Sequence, residues 1–118
     1  MVDKTKKITA NFYKLDRGKE PVREWLLELE RGDRQIVGKD IQKVEFGWPI
    51  SMPYSRKLEK GLWEVRSNIS DDRIARVLFT IQDNQMILLH GFIKKTQATP
   101  DKEKETARKR MKGMNCNG

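Results

Sequence analysis

An α+β domain, with a small and mostly antiparallel sheet of four or five strands, is predicted by three features of this 118-residue chain. Residues 62–96, LWEVRSNISDDRIARVLFTIQDNQMILLHGFIKKT, form three strand-like runs parted by two short polar stretches. Ahead of them lie two apolar stripes at helical spacing, and behind them Thr99-Pro100-Asp101 opens a last helix. Strands grouped together after a helical hairpin, rather than alternating with helices, belong to the α+β class. One core and one domain over residues 1–118 suit this length.

Residues 8–15 (ITANFYKL) alternate apolar side chains on both parities and read as a first strand. The stretch Asp16-Arg17-Gly18-Lys19 turns the chain, and Pro21 suits the first turn of a helix, where its missing N–H is harmless. Val22, Trp25, Leu26 and Leu29 follow at i, i+3, i+4, i+7. Arg31-Gly32 is expected to end this helix and Asp33 to cap the next, which carries Val37, Ile41 and Val44 on one face and stops at Gly47. Gly38 weakens that second helix by up to about 1 kcal/mol. Two prolines make 48–53 a connector, and 54–59 reads as a short edge strand.

In 62–69, Trp63, Val65 and Ile69 share one parity while Glu64 and Arg66 share the other, a strand with one buried and one polar face. Residues 73–81 and 86–93 are richer in apolar side chains and read as central strands. The connections 68–72 and 82–85 have hairpin composition. In the last helix Thr99 offers a capping hydroxyl, basic residues crowd the final turn and Gly113 is the expected stop. Its apolar stripe is only Ala107, Met111 and Met114, so weak docking is expected.

The chain has 25 Lys and Arg against 17 Asp and Glu, a net charge of +8 and a pI near 9.7. Such an excess favours a polyanionic partner, the plain alternative being a solvated basic surface. Residues 94–112 alone hold eight basic and three acidic side chains, for which a phosphate backbone is the natural complement. The single cysteine, Cys116, excludes an intrachain disulfide and fits a reducing compartment. No leader-like apolar segment or run of membrane-spanning length appears, so a cytoplasmic protein without membrane association is expected. One histidine and one cysteine match no usual metal-ligand spacing, and there is no phosphate-cradling glycine loop. No metal or other cofactor is expected.

Positive charge on strands is the remaining chemistry. Arg76 stands between Ala75 and Val77 in an apolar run, where a guanidinium needs either an open concave surface or a buried partner such as Glu64. Arg66 lies on a polar parity, Arg73 at a strand mouth, and Lys94 and Lys95 at a strand end; each can also be a solvated surface cation. His90 lies in an apolar run and is either a candidate acid–base group or a hydrogen-bonded core histidine.

The segments EPVREWLLEL (20–29), GLWEVR (61–66), RIARVLF (73–79) and LLHGFIKKTQATP (88–100) resemble the RelE/ParE superfamily of toxins, in its phage-derived, HigB-like branch. The resemblance covers nearly the whole chain in order. It implies a small antiparallel sheet with an N-terminal helical hairpin and a C-terminal helix. It also implies a toxin of a type II toxin–antitoxin system that cuts messenger RNA on the ribosome without a cofactor. Its partner would be a cognate antitoxin, in this branch usually a helix-turn-helix protein. Carried over by position, Arg66 and Arg76 match residues at the scissile phosphate, Lys94 and Lys95 match the basic pair ending the last strand, and Arg73 is an extra cation of this branch. The implied roles are catalytic for Arg66, Arg76 and Lys94 and RNA-binding for Arg73 and Lys95. RelE-type nucleases often carry a tyrosine after that strand; here the tyrosines are Tyr13 and Tyr54, and the base stays open. ParE-like poisoning of DNA gyrase and non-catalytic binding of RNA or ribosome are the alternatives.

Overall fold

The computed structural model describes residues 6–49, 55–94 and 99–116, with side chains to 114. In chain order the elements are β1 (Thr9–Phe12), α1 (Pro21–Glu28), α2 (Arg31–Gly47), β2 (Ser55–Glu59), β3 (Leu62–Ile69), β4 (Arg73–Gln82), β5 (Gln85–Lys94) and α3 (Asp101–Cys116). The predicted α+β class holds. The five strands lie in the order β1-β5-β4-β3-β2. Strands β2 to β5 form an antiparallel meander, and β1 joins its far side parallel to β5.

Two of the three hairpin connections, β3–β4 and β4–β5, turn on pairs of residues with positive φ: Asp71 and Asp72 (59° and 58°), and Asp83 and Asn84 (51° and 61°). Asp and Asn tolerate this left-handed region better than other side chains, and two such residues in succession match the right-handed twist of the flanking strands. Polar composition therefore marked these turns for a steric reason.

Several boundaries differ from the sequence reading. The β1 ladder ends early, its last link being the Tyr13 N–H donating to Leu88 O at 2.9 Å. Arg31 and Gly32 begin α2 instead of ending α1, and Asp33 lies inside its first turn instead of capping it. The carboxylate is drawn to Ser70 and Arg73, long-range partners that outcompete a local cap. Helix α3 continues through Gly113 to Cys116. The Thr99 hydroxyl, read as a cap, bonds to Glu64 and Arg76.

Odd-numbered residues of β3 and the first half of β4 face the helical hairpin. Val65, Ala75, Val77 and Phe79 are enclosed there with Val22, Val37, Ile41 and Val44. Trp48 meets Trp63 and Phe79 edge-on, at centroid distances of 5.3 and 5.9 Å. Gly91 on β5 receives the Trp25 ring so closely that a Cβ there would stand 2.4 Å from a ring carbon. The opposite face carries a second, smaller core of Leu62, Leu78, Leu89 and Phe92, roofed by Ala107 of α3.

The β4–β5 register shifts between Leu78 and Phe79, which pair with His90 and Leu88, leaving Leu89 as an extra residue. Such a bulge re-aims side chains. Here it puts both Leu89 and His90 on the α3 side, Leu89 in the small core and His90 against Glu103. The expected weak apolar docking of α3 is supplemented by polar ties. Arg108 donates to both carboxylate oxygens of Glu59 at 2.8 and 2.6 Å, and Arg110 Nη1 donates to Leu89 O at 2.7 Å. The first of these holds the Glu59 carboxyl below its ordinary pKa and raises that of Arg108. Among the described residues no helix is long and apolar enough to cross a membrane.

Candidate nucleic-acid interface

Cross-strand neighbours share a face of a sheet. Arg56 pairs with Glu64, Arg66 with Arg76, Arg76 with Phe92, and Ile74 with Lys94. Register alone therefore brings Arg56, Glu64, Arg66, Arg76 and Lys94 to the α3 face of four adjacent strands. Helix α3 covers only part of that face, packing on Leu62, Leu78 and Leu89. The charged residues occupy the neighbouring part, toward the 69–73 turn and the end of β5.

Glu64 is the centre of this group. Its carboxylate and the Arg76 guanidinium are both fully enclosed, with Nη1 3.0 Å from Oε1. The Thr99 hydroxyl donates to Oε2 of Glu64 and accepts from Arg76 Nη1 at 3.3 Å, tying the start of α3 to the sheet. Arg66 Nε lies 3.8 Å from Oε1 and Arg56 Nη2 3.6 Å from Oε2, with side chains 24% and 38% exposed. One carboxylate thus faces three guanidinium groups. Burial pushes the Arg76 pKa down; Glu64 opposes that shift, and Arg66 and Arg56 add to it. Arginine nevertheless stays protonated, so the group keeps an excess of positive charge. Lys94, half-buried at the end of β5, extends it.

The match to a known family falls on these same elements. A model built for phage-derived Gp49-like proteins (DUF891) matches residues 24–112. The chain belongs to that family. Gp49-like proteins form part of the RelE/HigB-like toxin group, so membership suggests a RelE-like toxin with an antitoxin partner. No curated protein matches the chain.

Within this Gp49-like fold the residues singled out from sequence fare differently. Arg66, Arg76 and Lys94 converge on one face. Arg76 is enclosed beside Glu64, so it takes the buried-partner arrangement and presents no surface to a ligand in this conformation. Arg73 points to the other face: Nη2 donates to Asp33 Oδ2 of α2 at 3.0 Å, and Nε donates to Ser70 O at 3.1 Å. It fastens the β3–β4 turn to α2 and does not join the charged group. Backbone donation from Ser70, together with Arg73, keeps the Asp33 carboxyl below its ordinary pKa. Lys95 lies outside the described residues.

His90 stacks on Phe92 at 5.6 Å, and its Nε2 is 2.8 Å from Glu103 Oε1. One ring nitrogen is thus committed to α3, as expected of a structural histidine. A carboxylate on one nitrogen is also the orienting partner that an acid–base histidine requires. Among the described residues no three His, Cys, Asp or Glu side chains gather as metal ligands do.

Sequence reasoning passed over Arg56 and Glu103, took Thr99 only for a helix cap, and weighed Glu64 only as a partner for Arg76. Arg56 had no local signal beyond being a cation in an expected edge strand. Thr99 and Glu64 are 35 residues apart, and nothing local to either announces the contact.

Proposed function

We propose that this Gp49-like chain is a HigB-like toxin of a type II toxin–antitoxin pair, acting in the cytoplasm as a ribosome-dependent messenger RNA endoribonuclease. The observation that carries this reading is the excess of guanidinium groups over carboxylate around Glu64 on the α3 face, with Arg56 and Arg66 partly exposed above the enclosed Arg76. In the proposed reaction the 2′-OH of RNA attacks the adjacent phosphorus, the bond to the 5′ oxygen breaks, and a cyclic phosphate and a free 5′-OH result. Charge grows on the phosphoryl oxygens as this happens, and fixed cations aimed at it supply a leading catalytic contribution. Arg66 and Lys94 are the proposed phosphate contacts. Arg76 acts from beneath, holding Glu64 and with it the orientation of Arg66. The ribosome holds the message in line, so the enzyme supplies mainly electrostatics. His90, oriented by Glu103, is the proposed proton carrier. A helix-turn-helix antitoxin covering the charged face is the proposed control.

The test is primer extension on messages from cells expressing each variant, beside cleavage assays on purified ribosomes and on naked RNA. Cutting on translating ribosomes and near inertness on naked RNA are expected. Arg66→Ala and Arg76→Ala should each lose on the order of a hundredfold in rate. His90→Gln should lose rate with the fold intact; loss of stability alone would leave it a structural residue. Growth arrest with gyrase-dependent DNA damage and no RNA cuts would move the assignment to a ParE-like poison.

A further inference from the structure

The edge strand β2 contributes a cation that no sequence pattern selected. Arg56 stands opposite Glu64 in the β2–β3 register. Its Nη2 is 3.6 Å from Glu64 Oε2, close enough for attraction and too long for a hydrogen bond. Glu64 spends its short contacts elsewhere, on Arg76 and Thr99. Among the described residues the enclosed Nε of Arg56 meets no acceptor, while over a third of the side chain remains open to solvent. The guanidinium is therefore held in place by the field of a carboxylate that is already committed, with donor capacity left over.

Two further facts say what would use that capacity. Arg56 and Arg66 flank the same carboxylate from adjacent strands, both partly exposed, above an enclosed Arg76. Both also press the Arg76 pKa downward, as cations crowded around one anion must. A second anion placed between the two exposed guanidinium groups would relieve that crowding and accept their hydrogen bonds. Guanidinium forks match the spacing of phosphate oxygens.

We infer that Arg56 is a phosphodiester-contacting residue, paired with Arg66 across β2 and β3 and positioned by Glu64. The inference rests on the RNA-cleaving reading for its substrate. It extends the site to the sheet's edge, so that the RNA backbone runs across the strands from β5 toward β2.

The experiment uses the full chain and a dinucleoside monophosphate whose 2′-OH is blocked as the methyl ether, so that it binds without being cut. Guanidinium resonances are followed by nitrogen-15 NMR during titration. Saturable shifts of the Arg56 and Arg66 signals are expected. Arg56→Ala should weaken binding on the order of tenfold, as for loss of a charge-assisted hydrogen bond. It should also lower the salt dependence measured on a longer 2′-blocked oligonucleotide by about one unit of slope. Arg56→Lys should fall between, keeping the charge and losing the fork. Arg31→Ala, on the exposed start of α2, removes the same net charge and should stay within about twofold. An unmoved Arg56 signal, wild-type affinity in Arg56→Ala, or an equal loss in Arg31→Ala would each overturn the inference. Cleavage on ribosomes is measured in parallel. Dinucleotide binding through Arg56 without any cleavage by the wild type would sink the nuclease reading and leave this site standing. Full cleavage and full affinity in Arg56→Ala would do the reverse.

Discussion

Two arginine–carboxylate clusters sit on opposite faces of the same sheet and do different things. On the hairpin face, Asp33 meets one guanidinium, Arg73, and its oxygens also accept the Ser70 N–H and hydroxyl at 3.1 and 2.9 Å. Charge balances one to one, and the result is a staple between α2 and the β3–β4 turn. On the α3 face Glu64 meets three guanidinium groups, two of them partly exposed. There charge does not balance, and the surplus faces outward. The same pair of functional groups is a structural tie where its stoichiometry closes, and where it does not it forms the phosphate site proposed above.

The harshest way to break this contrast is to remove Glu64. Glu64→Ala leaves Arg76 enclosed and uncompensated, for which a loss of about 3–5 kcal/mol is expected. Urea denaturation measures it. A double variant, Glu64→Ala with Arg76→Met, should recover much of that loss, because burying neither charge is often as good as burying both. If the double variant is no more stable than the single one, the pair is not the dominant cost.

Gly91→Ala probes the apolar packing on the staple's side of the sheet. The new Cβ would meet the Trp25 ring at 2.4 Å, so Trp25 or the strand must shift, at about 1–3 kcal/mol. A cooperative transition at lower urea, with a changed tryptophan emission, is the expected reading.

The smallest effect belongs to the staple itself. Asp33→Asn should lower the melting temperature at neutral pH by on the order of a few degrees. Its pH dependence follows from sign. The Asp33 carboxyl lies below its ordinary value of 3.8 in the fold, so the unfolded chain takes up the proton first as pH drops. The stabilisation is fully present above about that ordinary value and is lost as pH falls below it, through the folded pKa. The gap between wild type and variant should therefore be constant near neutrality and close in acid. Glu59, also depressed by its bond to Arg108, contributes an acid loss of the same sign, but to both proteins equally. A gap that widens toward acid would contradict the assignment.

Much of the fold was written locally. Alternation in 62–69 named which side of β3 would face the helical hairpin, and the helical stripe from Val22 to Leu29 placed Trp25 toward the sheet, because period depends only on backbone geometry. The expected polar face of β3 was wrong: Leu62 and Glu64 on that side are fully buried, Leu62 in the second core and Glu64 against Arg76. Arg73 and Arg76 are three residues apart, so in a strand they must face opposite ways, yet the sequence reading grouped Arg73 with the phosphate-binding cations; its bond to Asp33, 40 residues away, has no local sign. The helix limits at Arg31 and Gly113 were less legible, since glycine permits a stop without demanding one.

What the sequence by itself determined, then, was the α+β class, the hairpins and the alternation of faces along β3, all consequences of near-neighbour sterics; the bulge that puts Leu89 and His90 on one side of β5 was not among them. Only the tertiary structure decided which part of the α3 face is covered and which cations stay open there. Bonds between Glu59 and Arg108, His90 and Glu103, and Glu64 and Thr99 fix where α3 lies. Each joins residues 13 to 49 positions apart. Whether an arginine on the right face ends as a buried counterion or a surface contact depends on that docking, and docking is a property of distant residues meeting, which no local pattern encodes.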